Sequence, residues 1–370
     1  MARFNMPDIT IVEKSPEKIE NEAVAIFESE TKIKLVPADP RRKFMQVIIA
    51  LLAQQRSNID FAAKQTLLAY AISDNLDHLG VPSDTPRLEP SFAKTTQRFH
   101  LSVAQPQTIP KGTRVTAGDG VFFAVQQDMP VQIGQLFVDV EVWCTEAGDS
   151  GNGYVPGELN QLVDPLRWVA KVENLTKSEG GADWEEDDPY ADRIRQAPEK
   201  FSVAGPDGAY IYWARTASSL IVDVSVRSPS PGVVEIRPLL KGGNIPGQEI
   251  LDMVQEKCND RKVRPLTDQV QVIAPEIVHY DLKVTYWIAI DKSTIATSIQ
   301  TDVQQAIEAY KLWQKSKLGR DIDSSELIAR IKNAGAKRVI VTLPAYQKLE
   351  PYQVAKENVV SVTYGGLEDD

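Results

Sequence analysis

The chain has 370 residues, 42% of them hydrophobic and 25% charged, with a net charge of −10. That length exceeds what one hydrophobic core usually supports and sets a prior of about three domains of ~100–200 residues. The acidic balance argues against a protein built to neutralise nucleic-acid phosphates or anionic lipid, because the only basic clusters are short ones at Arg41-Arg42-Lys43 and Arg261-Lys262-Val263-Arg264.

Residues 16–82 read as helical. Ser15-Pro16-Glu17 supplies a cap, a proline at the first helical position and a first-turn acid. After the break at 37–40, Phe44, Ile48, Leu51, Ile59, Leu68, Ile72 and Leu76 recur at mostly helical spacing, an apolar stripe with charges between its members. A continuous helix over 41–79 would run about 60 Å at ~1.5 Å per residue, too long for the face of one small domain. The stripe therefore predicts an arm that joins a helical bundle with another chain, the alternative being a hairpin packed on its own domain. Gly80 and Pro82 give the stop signal.

From 83 to 175 the pattern changes to short strands at 96–103, 121–125 and 136–142 with turn residues between them. Gly151-x-Gly153 begins like a dinucleotide fingerprint, but its third glycine is misplaced and Pro156 stands where the helix should start. Tight glycine turns of a small β-domain are the expectation there. Beyond Gly180 the chain is mixed. Asp188-Pro189 opens a helix, 207–215 reads as another, 221–226 and 233–239 as strands, 248–259 as helical and 268–273 as a strand. Residues 276–370 appear as a similar order of elements, with helices at 294–313 and 323–334 and strands at 278–290, 339–343 and 359–364. Together these predict an α+β multidomain chain: an arm of long N-terminal helices (1–82), a small β-rich domain (83–175), then two α/β modules in tandem, 176–275 and 276–370.

Catalytic signatures are sparse. Asp183, Glu185, Glu186, Asp187 and Asp188 crowd around Trp184, without the alternating ligands and obligatory glycine of a calcium loop. A solvated acidic helix N-terminus is the favoured reading, and a metal-dependent enzyme ranks last. The three histidines, His78, His100 and His279, have no paired spacing, there is no Cys-x-x-Cys, and neither a nucleophile elbow nor a phosphate-binding loop occurs. Neither an enzyme nor a cofactor is expected. Cys144 and Cys258 fall in different predicted domains and read as thiols of a reducing cytosol. The N-terminus lacks the apolar core of a secretion signal, and the longest apolar run, 47–53, is far short of a membrane span, so synthesis and folding in cytoplasm are expected.

The stretch from Gly180 carries a set of spaced residues. Gly180-Gly181-Ala182-Asp183 is followed by Tyr190, Arg193-Ile194-Arg195, Ala197-Pro198, Phe201-Ser202-Val203-Ala204-Gly205-Pro206, Ala209-Tyr210 and Tyr212-Trp213-Ala214. Then come Val222, Val224, Val226, Pro229, Pro231-Gly232, Val234 and Arg264-Pro265-Leu266-Thr267-Asp268. In this order the set resembles the baseplate J-like proteins of contractile phage tails, closely over 180–275, in layout at the helical N-terminus and the C-terminal module, and only loosely over 83–175. The resemblance implies a structural wedge subunit of a phage or phage-derived contractile particle. It would be assembled in host cytoplasm and located in the tail baseplate. The implied partners are a second copy of itself, a smaller wedge protein joined through N-terminal helices, and neighbouring wedge and hub or sheath-initiating proteins, with neither nucleic acid nor membrane among them. Neighbouring wedges would meet through C-terminal regions, closing a ring around the central spike that rearranges when the sheath contracts. The family offers no catalytic residue to carry over. The alternative is a carbohydrate-binding or adhesive protein of the tail periphery, with the β-rich segment as its binding face.

Overall fold

The computed structural model describes residues 2–102, 105–202 and 205–369. The chain divides into two compact units, Met1–Arg87 with Glu186–Arg195, and Leu88–Glu185 with Gln196–Asp370.

The first unit is helical. Helices α1 (Pro16–Thr31) and α2 (Pro40–Lys64) each open on a proline, and the Asp39 side chain caps α2 by accepting from the Arg41 N–H. They form a hairpin closed by Ile19, Ile49 and Ala53, with Ala23 and Met45 packed alongside. The stripe is not one continuous helix: α2 stops at Lys64, the Gln65 side chain accepts from the Ile72 N–H, and the chain turns before α3 (Ser73–Gly80). Helix α4 (Asp187–Gln196) brings Tyr190, Ala191 and Ile194 into a core with Ala71 and Leu76.

The second unit begins with eight strands. They are β1 (Lys94–Leu101), β2 (Gln107–Ile109), β3 (Arg114–Thr116), β4 (Phe122–Val125), β5 (Met129–Val131), β6 (Phe137–Cys144), β7 (Gln161–Leu162) and β8 (Val169–Asn174). Six of them make a sheet in the order β7-β3-β4-β6-β1-β8, and β2 pairs with β5. Every second residue of β1 is buried, as period-two alternation requires of a strand with one face on a core. The sheet curls until its ends approach: the Leu159 N–H donates to Asn174 Oδ1 at 3.0 Å, and Gln97 Nε2 donates to the Leu159 carbonyl at 2.9 Å. Phe99, Val115, Phe123 and Val142 fill the interior. The strand expected at 96–103 ends at Leu101, and Val103 lies outside the described residues.

Two mixed modules follow. The first has α5 (Asp207–Arg215), β9 (Ile221–Ser230), β10 (Val233–Leu240), α6 (Gln248–Asn259) and β11 (Gln269–Val272), with sheet order β11-β10-β9. Gly232, at φ +78°, takes the left-handed corner of the β9–β10 hairpin. The second has β12 (Glu276–Ala289), α7 (Ala296–Lys315), α8 (Ser324–Asn333), β13 (Arg338–Leu343) and β14 (Gln353–Glu368), with order β13-β12-β14. Both hold three strands and two helices, but the expected repeat of element order fails. The first module opens with a helix and an antiparallel hairpin, whereas the second opens with its middle strand, which β14 joins in parallel after both helices.

A polar joint links the two modules. Glu235 lies between Arg227 at 2.7 Å and Arg237 at 2.6 Å, and the Tyr352 ring stacks under both guanidiniums at 4.0 and 4.8 Å. Beside it Asp223 accepts from the Leu318 N–H at 2.8 Å, and Leu239, Leu318 and Val354 form a small apolar cluster.

Candidate functional site

The acidic run is dispersed among separate partners rather than gathered on one ligand. Asp183 accepts from the Asp149 N–H at 3.3 Å, and buried Glu185 accepts from the Leu88 N–H at 3.0 Å. Asp187 pairs with Arg87 at 2.9 Å and Asp188 with Arg3 at 2.5 Å. Asp183, Glu186 and Asp188 are exposed and Asp187 and Asp188 stand in the first turn of α4, as a solvated acidic helix N-terminus requires, while Glu185 alone is buried. Among the described residues no three His, Cys, Asp or Glu side chains gather as a metal site, and no helix is long and apolar enough to cross a membrane. His100 bonds Glu173 at 2.8 Å. Both cysteines are buried and free, and burial pushes the Cys258 thiol up to about 12.

The spaced residues sort into three structural jobs. Gly180 and Gly181 form the exit from the β-rich segment. Gly180 has φ +92°, and a Cβ on Gly181 would sit 2.3 Å from the Gly148 carbonyl oxygen. Asn152 fastens this backbone by donating to the Gly181 carbonyl at 2.6 Å and accepting from its N–H at 2.9 Å. Arg193, almost fully buried, donates to the Pro86 carbonyl at 2.6 Å, and the Tyr190 hydroxyl donates to the Thr85 carbonyl at 2.8 Å. Arg195 pairs with Asp192 at 3.1 Å and covers the Phe4 ring.

The third job is a lock at the end of β11. Gly205 has φ +77°, and a Cβ there would meet Asp268 Oδ2 at 2.9 Å and Pro265 at 3.0 Å. The Tyr210 hydroxyl donates to that same Asp268 oxygen at 2.8 Å, and burial followed by this bond pushes the phenol above its ordinary range. Arg264 donates to the Pro265 and Asp268 carbonyls at 3.2 and 2.9 Å. Trp213 packs edge-on to Tyr212 against the module core. Phe201 and Pro229 are exposed, and Val203 and Ala204 lie outside the described residues.

The helical stripe divides. Leu76 is fully buried in the first unit, which corrects its assignment to a partner, and Leu68 is partly buried beside it. Phe44 (68% exposed), Leu51 (66%), Ile59 (52%) and Ile48 (44%) face solvent, joined by Val47 (64%) and Leu52 (46%); Ile72 is exposed beyond the end of α2. Phe27, Pro40, Arg41, Phe44, Met45 and Ile48 line a hollow of about 510 Å³ that is almost wholly apolar. The opposite side of α2 carries a residue that pattern reading passed over. Asp60, 2% exposed, accepts from Lys14 Nζ at 2.7 Å and the Ile11 N–H at 2.8 Å, which hold its carboxyl well below the usual carboxylate range. Its signal was its place on the same helical face as Ile49 and Ala53.

The chain matches three family profiles in succession: the Baseplate J-like protein barrel domain over residues 96–181, the Baseplate J-like central domain over 202–274, and the Baseplate J-like protein C-terminal domain over 280–363. The likeness thus reaches well beyond 180–275, into the β-rich segment and the last strand. A 35% identical relative over 161 residues is "Baseplate protein J" of Escherichia phage P2, matched over 43% of this chain; the chain spans about half, 52%, of that relative's length. Among solved structures, a chain of the anti-feeding prophage baseplate, determined by cryo-EM with 6-fold symmetry, aligns over 92% of this chain and 90% of its own length, at 11% identity and TM-score 0.39.

Proposed function

The chain belongs to the baseplate J-like protein family, and from that premise we propose that it is a non-catalytic structural wedge subunit of a contractile tail baseplate. Its first unit docks on partner helices. Those partners are a second copy of this chain and a smaller wedge protein, with neighbouring wedge and hub or sheath-initiating proteins contacting the rest. The four segments 1–82, 83–175, 176–275 and 276–370 serve as working divisions for these contacts. Assembly takes place in host cytoplasm, the finished subunit resides in the virion tail, and the ring it helps to close rearranges on sheath contraction.

The observation carrying this reading is the outward apolar face of α2. A hairpin that buries Ile49 and Ala53 while leaving Phe44, Val47 and Leu51 about two-thirds exposed has the surface of a helix awaiting other helices. The test is co-expression with the neighbouring tail genes. The expected product is a stable heteromer, lost in the double variant Phe44→Ser, Leu51→Ser while its melting temperature stays within a few degrees of the parent. A parent chain that remains monomeric beside all of its neighbours, or a heteromer that survives the double variant, would count against the reading.

A further inference from the structure

Four buried side-chain oxygens among the described residues have no hydrogen-bond partner within the protein: Gln97 Oε1, Tyr280 Oη, Gln314 Oε1 and Glu357 Oε2. Unpaired buried polar atoms are costly and uncommon, so their positions carry information. Gln97 belongs to the β-rich segment. The other three belong to one corner of the last module.

Tyr280 and Glu357 are register partners on β12 and β14, so their side chains leave the sheet on the same face. That face is the helix side: Tyr280 is 6% exposed in the module core, and Ala355, two residues before Glu357, is buried in the same core. Helix α7 supplies Tyr310 to this core, and Gln314 follows one turn later with no exposure at all. Lys315, the last residue of α7, reaches Glu357 Oε1 at 3.3 Å. The end of α7 thus lies against the Tyr280–Glu357 pair, with Gln314 on its buried side.

Donors and acceptors in this corner do not balance. Gln314 Nε2 donates to the Arg320 and Asp321 carbonyls at 3.1 and 3.2 Å, which leaves Oε1, an atom that can only accept. An ionised Glu357 carboxylate can only accept as well, and Lys315 serves its other oxygen. Tyr280 has a single O–H for two waiting oxygens. A water molecule has the missing complement: two hydrogens for Gln314 Oε1 and Glu357 Oε2, and a lone pair for the Tyr280 hydroxyl. Three hydrogen bonds are the usual number for a buried water. A metal cation fits less well, because Lys315 already balances the carboxylate and the phenol hydrogen would still lack an acceptor.

We infer that the C-terminal module holds one structural water, bound jointly by Tyr280, Gln314 and Glu357. Its place gives it a task. It fixes the free oxygen of the Gln314 amide, whose nitrogen holds the backbone at 320–321. The same loop brings Leu318 to Asp223 and Leu239 of the neighbouring module. The water therefore supports the joint between the two mixed modules from inside one of them.

Tyr280→Phe tests the inference by the sign of its effect, since it removes the hydroxyl and keeps the ring. With the water in place the variant loses a bond, and the folded-to-unfolded ratio of the full chain in a denaturant titration is expected to fall about fivefold or more. With no partner on the hydroxyl, its removal leaves the ratio unchanged or raises it, and that result overturns the inference. The second measurement is a crystal structure of the full chain at a resolution that shows ordered water. Density ~2.7–3.2 Å from all three oxygens is expected in the parent. Absent density, or Gln314 Oε1 bonded directly to a protonated Glu357, overturns the inference. Contacts of ~2.3–2.6 Å, with a denaturant midpoint that rises with calcium at constant ionic strength, would mark a cation in the water's place and overturn it equally.

Discussion

At the scale of single residues, the spaced glycines and polar residues hold backbone in places no other side chain fits. Gly181→Ala puts a methyl 2.3 Å from a carbonyl oxygen and 3.0 Å from the Ala93 nitrogen, and overpacking of this kind typically costs about 1–3 kcal/mol. A denaturant midpoint unchanged from the parent would contradict that. Tyr210→Phe takes the donor from Asp268 Oδ2 without changing shape, with an expected loss of about 1–3 kcal/mol. Gly205→Val should lose more than Gly205→Ala, since a branched side chain adds to the strain of positive φ and to the collision with Pro265. These residues were legible as a set, because their order is distinctive, but their contacts were not. Tyr210 and Asp268 are 58 residues apart, and no local pattern announces a pair at that separation.

At the scale of elements, periodicity found the helices and the more conspicuous apolar face of α2, but not the smaller face that closes the hairpin. Phe44, Ile48, Leu51 and Ile59 make the more conspicuous stripe, yet the hairpin closes on the smaller face of Ile49 and Ala53. Spacing reveals that a face is apolar without saying whether this chain or another covers it. The end of α2 was also hidden, because residues 65–72 contain neither glycine nor proline and the turn depends on the Gln65 side chain. Asp60 gives this element a pH dependence of definite sign. Its folded-state pKa is depressed by Lys14 and the Ile11 N–H, so its contribution is fully present above the ordinary carboxylate pKa of about 3.9 and fades as pH falls below it. Asp60→Asn should therefore lower stability at neutral pH and flatten the acid limb of a melting-temperature profile. Parallel profiles for the two proteins would show that Asp60 takes no part in acid unfolding.

At the scale of the whole molecule, the succession of helices, strands and mixed modules was readable from changes in period and turn content. The return of α4 to the first unit was not, since it rests on contacts such as Tyr190 with Thr85, 105 residues apart. The joint between the mixed modules was likewise invisible, for Arg227, Glu235, Arg237 and Tyr352 share no sequence pattern. Tyr352→Ala should expose that joint, lowering the calorimetric melting temperature by roughly 2–4 °C per kcal/mol lost and splitting the transition of the two modules. A single unshifted transition would mean that Tyr352 does not couple them. The segment Leu88–Glu185 enters and leaves through one hydrogen-bonded pair, the Leu88 N–H donating to the Glu185 side chain and the Glu185 N–H to the Leu88 carbonyl. Its two ends are held side by side, so the segment can lengthen at its turns without moving the points at which the chain leaves and rejoins.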